Sequence, residues 1–187
     1  MKQKKSSILR NLLLTALFAA LTAAGAFIRI PTGVSSFTLQ VFFTCMAGLL
    51  LGPYWGAASQ LIYVLLGLLG VPIFTEGGGL MYVAKPTFGF LLGLIPMAFL
   101  IGLLSRKIQV DRTHRIGSDI RLGACCLAGL ASLYAIGLPY MYFALGGAWS
   151  VGKTVVSGCL IFLPFDALKL LVASVLGVRL LPLLRDR

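Results

Sequence analysis

Acidic residues are scarce in this chain of 187 residues: five Asp and Glu stand against 16 Lys and Arg, for a formal net charge of +11. Charge of either sign is thin, at 11% of residues, whereas a water-soluble domain carries about 25% to cover its surface. The length alone would suit an ordinary soluble domain. The shortage of charge argues against one and makes lipid the solvent to expect. Histidine is nearly missing: His114 stands alone, in a basic polar segment. No HExxH, paired histidines or Ser–His arrangement occurs, so the enzyme classes that need them have no residues to work with. Nucleotide motifs are missing too. "EGGGL" at 76–80 is followed by no GKS or GKT, and "GKT" at 152–154 lacks the preceding glycine frame of a phosphate loop. The four cysteines (Cys45, Cys125, Cys126, Cys159) lack CxxC spacing and sit in apolar runs, which reads as small buried hydrophobes. The expectation is a protein that is not an enzyme and holds no metal or cofactor.

What is present is apolar: 59% of the residues are hydrophobic and mean hydropathy is +0.98. A net charge of +11 would suit a nucleic-acid surface, but its distribution denies that. Lys2, Lys4, Lys5 and Arg10 open the chain, Arg106, Lys107, Arg112, Arg115 and Arg121 lie in and around the one long polar segment, and Arg179, Arg185 and Arg187 close it. Basic residues flanking apolar runs are the positive-inside pattern of a membrane protein. The start, "MKQKKSSILRNLLLTALFAALTAAGA", imitates a signal peptide. The rest of the chain is equally apolar, so this run reads as a retained first helix.

Six spans are expected in one membrane domain, 1–187. They run from about Leu9 to Ile28, Thr38 to Leu51, past a tight "GPYWG" turn to Leu69, Thr87 to Leu104, Ile120 to Leu138 (with an extension past Pro139 to Leu145), and Pro164 to Leu181. The fold class is therefore an all-α integral membrane bundle of six transmembrane helices. An even number of crossings puts both termini on one side, which the positive charge makes cytoplasmic. The connections 29–37 (read as a loop), 70–86 and 146–163 (its 146–158 part read as a re-entrant or surface stretch) then lie outside.

"IFLPFDALKLLVASVL" at 161–176 raises the question of chemistry, because Asp166 and Lys169 stand in an otherwise apolar run. Pro164 suits a first helical turn. Asp166 follows within that turn, where unpaired N–H groups favour an anion, and Lys169 lies three residues on, on the same face. Each charge would cost roughly 2.5–3.5 kcal/mol facing lipid, so both should face protein or water. Two readings stay open: an internal salt bridge locking helices, or a clamp for a ligand with both donor and acceptor character. Glu76, in a glycine-rich loop with Phe74, Leu80, Met81 and Tyr82, reads either as a loop tip or as a binding loop over an outward cavity. Phe37, Thr38, Gln40, Tyr82, Tyr140, Tyr142 and Trp149 gather on the same outer side, part of them an aromatic belt. On the first span Ala16, Ala20 and Ala24 recur every four residues, a small ridge for close helix contact, either inside the bundle or toward another membrane protein. Gly89 and Gly93 form a second such face, read as internal. From the residues alone, an ion-gradient transporter and a structural membrane subunit stand beside a partner-driven binding protein; no inverted repeat of broken helices favours the first.

The ordered blocks "PTGVSSFTLQVFFTCMAGLLLGPYWGAASQLIYVLLGLLGVPIFTEGGG", "KPTFGFLLG" and "FLPFDALKLLVA" resemble the BioY family of biotin transport proteins over most of residues 12–178. The resemblance implies a compact six-helix substrate-binding component of an energy-coupling factor transporter in the bacterial cell membrane, with the vitamin near the outer face. It implies biotin as ligand, with Asp166 and Lys169 among its contacts, Thr38 and Gln40 nearby, and a closing loop carrying Glu76, Tyr82 and Lys85. It also implies that Ala16, Ala20 and Ala24 dock on a transmembrane coupling protein driven by two ATPases. Lys85, Phe88 and Phe165 stand where the family pattern has glycine. A component for another vitamin is the alternative within the same family.

Overall fold

The computed structural model describes residues 2–31, 36–108 and 115–185. The expectations for Arg112, His114 and Arg187 fall outside the described residues, as do those for the side chains of Lys2, Lys4, Lys5, Arg115 and Arg185. The apolar runs become α1 (Lys2–Phe27), α2 (Gln40–Leu68), α3 (Phe88–Ser105), α4 (Arg115–Ala144), a short α5 (Val151–Val155) and α6 (Leu163–Arg185). Among the described residues five stretches are long and apolar enough to cross a membrane, not the six expected, and the last runs from Val151 to Pro182.

The difference lies in α2, which is broken at Gly52 (φ 79°, ψ −175°) with Pro53 directly after. Positive φ is a conformation glycine adopts at little cost, and proline suits the first turn of a new helix. The chain folds back at this point. Gln40 Nε2 lies 2.8 Å from the Tyr63 hydroxyl, 23 residues on; along one straight helix these residues would be about 34 Å apart. The two arms, 40–51 and 53–68, are therefore antiparallel rods. Their tip is held by α3: a Cβ on Gly102 would stand 2.4 Å from Gly52 C and from Pro53 N, so that backbone approach admits only glycine.

In the bundle α1 packs on α2, α3 lies between α2 and α4, and α6 closes against α4 and α2. Met97, Ile101, Leu122, Met141 and Leu181 fill the interior, while Leu9, Leu12, Leu13, Leu17 and Leu171 face outward. Large apolar groups on the outside are what a lipid solvent accepts. The polar side chains at the contact of α1 with α2 are bonded to one another: Thr44 Oγ1 donates to Gln60 Oε1 at 3.0 Å, and Gln60 Nε2 reaches Ser59 Oγ at 3.0 Å and Thr22 Oγ1 at 3.3 Å. Gly89 and Gly93 approach Tyr140 and Leu133 of α4, so that face is internal, as expected.

One connection differs from the loop expected, and another carries helical turns of its own. The 29–37 segment carries a short antiparallel pair, β1 (Arg29–Pro31) with β2 (Ser36–Thr38), in register Ile30 to Phe37. The 146–163 stretch is α5 followed by a π-helical turn, Val156–Leu160, leading into α6. The β pair, the 70–86 loop and this turn cluster at one end of the bundle. The α2 tip lies at the other, where Arg106 sits 5.7 Å over the Tyr54 ring.

Candidate ligand-binding site

α6 begins where the sequence places it, and Asp166 occupies its first turn, its N–H bonded to Phe162 O at 2.9 Å. The Asp166 side chain is buried, the residue being 3% exposed. Lys169 Nζ lies 2.8 Å from Oδ1, and the Tyr134 hydroxyl of α4 donates to Oδ2 at 2.6 Å. Each carboxylate oxygen thus has one fixed donor and keeps lone-pair capacity. The pair is not sealed in a helix seam: Asp166, Lys169 and Tyr134 all line a cavity among α2, α3, α4, α6 and the outer connections. The cavity holds about 730 Å³ free of protein atoms, a volume that includes the part open to solvent.

Opposite the ion pair, β2 and the start of α2 supply Thr38 and Gln40. Thr38 Oγ1 donates to Gln40 Oε1 at 2.9 Å, and Gln40 Nε2 donates to the Tyr63 hydroxyl, which in turn reaches Ile73 O at 3.2 Å. The 70–86 loop is no free tip. Phe74 is 1% exposed and its ring packs against Tyr63 (5.5 Å) and Tyr82 (4.7 Å). Burial of the Tyr82 phenol pushes its pKa up. Glu76 and Tyr82 line the cavity from this loop. Lys85 does not: it pairs with Glu76 and lies 5.1 Å over the Tyr82 ring. The Arg29 guanidinium donates to Thr75 O, joining β1 to the same loop.

Six of the seven expected site residues therefore surround one hollow, with Lys85 one side chain behind. Of the outer aromatics, Phe37 packs on Phe162 (4.6 Å) and Phe165 (4.3 Å) at the cavity mouth; Tyr140, Tyr142 and Trp149 do not line it. Sequence reasoning missed Tyr134, Thr87 and the apolar wall of Phe90, Leu133 and Phe162. An isolated tyrosine inside "LAGLASLYAIGLP" was the available signal for Tyr134, because a buried phenol needs a partner. Among the described residues no group of three or more His, Cys, Asp or Glu could hold a metal. On α1, Ala16, Ala20 and Ala24 are exposed while Phe18, Ala19, Thr22 and Ala26 are buried, which puts the ridge on the outside of the bundle.

The BioY family model matches residues 1–186. A probable biotin transporter from Lysinibacillus sphaericus is 45% identical over 72% of this chain and 66% of its own length. The biotin transporter of Thermotoga maritima is 36% identical over 92% of this chain and 96% of its own. Among solved structures, the S-component for biotin from an ECF-type ABC transporter superposes with a TM-score of 0.80, at 26% identity, covering 97% of this chain and 94% of that one.

Proposed function

The chain belongs to the BioY family, and from that premise we propose that it is the biotin-binding membrane subunit of an ECF-type transporter. It is a transport component rather than an enzyme. The observation that carries the reading is the acceptor–donor couple of Asp166 and Lys169, fixed by Tyr134 at the wall of a cavity lined by both polar and apolar groups. A cyclic urea presents N–H beside C=O. The free lone pairs of Asp166 suit the N–H, and the remaining N–H bonds of Lys169 suit the carbonyl. The apolar wall of Phe90, Leu133 and Phe162 suits the rest of a partly apolar solute, and Thr38, Gln40, Glu76 and Tyr82 add to the polar lining.

Counting the arms of α2 separately gives six crossings, with both termini on the side of the basic residues Arg10, Arg106, Lys107, Arg121 and Arg179. That side is the cytoplasm by charge, in a bacterial plasma membrane, and the cavity opens outward. The chain carries no nucleotide motif, so inward release depends on a coupling protein with two ATPases, docked on the exposed ridge of Ala16, Ala20 and Ala24.

Titration of the purified protein with biotin, its methyl ester and desthiobiotin tests the site. Asp166→Ala should abolish biotin binding without unfolding the bundle; unchanged affinity in that variant overturns the assignment.

A further inference from the structure

We propose that Glu76 is an internal competitor for the ligand's carboxylate, so that this chain sets its own affinity for acidic over neutral ligands through the Glu76–Lys85 pair. The inference rests on the biotin reading above. Three basic groups stand in or next to the lining of the cavity, and the two lysines are each already matched by an acid. Lys169 is bound to Asp166 deep in the wall. Lys85 is bound to Glu76 at the rim, about 40% exposed on both side chains. Glu76 itself lines the cavity while Lys85 stands behind it over the Tyr82 ring. The third cation at the rim, Arg29, is engaged with Thr75 O, one residue from Glu76.

A ligand with a carboxylate therefore meets an anion before it meets a free cation. If it reaches Lys85 it must displace Glu76 or share the ammonium with it, and two like charges around one cation oppose each other. A neutral ester meets no such opposition. The half-exposed position makes the effect modest and dependent on salt.

The test is calorimetric titration of the full chain in nanodiscs with biotin and with biotin methyl ester at low salt. Glu76→Gln should tighten biotin about 3- to 10-fold and move the ester less than about twofold, and the biotin gain should shrink in high salt. Lys85→Met should do the reverse, weakening biotin with little effect on the ester; it tests the same competition independently if Glu76→Gln folds poorly. Equal shifts for acid and ester in either variant, or no shift in either, overturn the competitor role while leaving the biotin site standing. A wild-type protein that binds neither ligand instead overturns the biotin reading, and this inference with it.

Discussion

Removing a single hydroxyl tests how the Asp166 carboxylate is held. In Tyr134→Phe the ring stays, with its edge contact to Phe90 at 6.2 Å, and only the donor to Asp166 Oδ2 at 2.6 Å is lost. Hydrogen bonds to charged groups contribute about 1.5–3 kcal/mol. Lys169 is committed to Oδ1, so it does not replace the lost donor on Oδ2. For a chain of this size each kcal/mol corresponds to about 2–4 °C in Tm, so the variant should melt roughly 3–12 °C lower. Ligand affinity should fall less, by about tenfold or 1.4 kcal/mol, because an N–H from the ligand can take part of the vacated lone pair. Saturating biotin should raise the Tm of both proteins, but that of the variant by less, because its affinity is lower, so the gap from the parent should widen. The assay is thermal unfolding in nanodiscs with and without biotin, paired with titration calorimetry. A variant with unchanged Tm and unchanged affinity would refute the claim that Tyr134 fixes the carboxylate.

Ala20→Trp fills the exposed ridge of α1 without touching the cavity; biotin titration should be unchanged, while co-purification with the coupling protein and biotin uptake should both be lost. Gly102→Ala drives a Cβ to 2.4 Å from the backbone of the α2 tip, where no flexible side chain can give way, and should cost about 1–3 kcal/mol or more in stability, read by thermal unfolding. The raised pKa of the Tyr82 phenol means that the unfolded chain releases that proton first as pH rises. Its contribution to stability is therefore complete below about pH 10 and lost above it. Tyr82→Phe should flatten that alkaline loss, as followed by unfolding at stepped pH.

The spans were legible because one local property, hydropathy, decides them. The expected Thr87–Leu104 is Phe88–Ser105, and the fifth expected span, α4, does continue past Pro139, to Ala144. Gly52 and Pro53 marked the α2 turn for the same reason: backbone freedom followed by a proline is local information. The π-helical turn at Val156–Leu160 was not legible, because nothing in "VSGCL" distinguishes a widened turn from an ordinary one. The β pair at 29–38 was hidden because its residues show no alternation over three positions.

The site divides along the same line. Asp166 and Lys169 stood out in the sequence, since charges in an apolar run must face something other than lipid, and their spacing of three settles that they meet. What they meet next is not local. Tyr134 reaches Asp166 across 32 residues, and its direction is set by α4 packing on α6. Lys85 shows the converse. Its position in sequence suggested a cavity residue, but an acid in the same loop pairs with it at the rim. Pairing with a nearby acid does not by itself remove a cation from the hollow: Asp166 and Lys169 are closer in sequence than Glu76 and Lys85, and both still line it. What separates the two pairs is the donor from another helix. Tyr134 holds the deep carboxylate in the cavity wall, whereas at the rim Glu76 lines the cavity and Lys85 settles over the Tyr82 ring of its own loop.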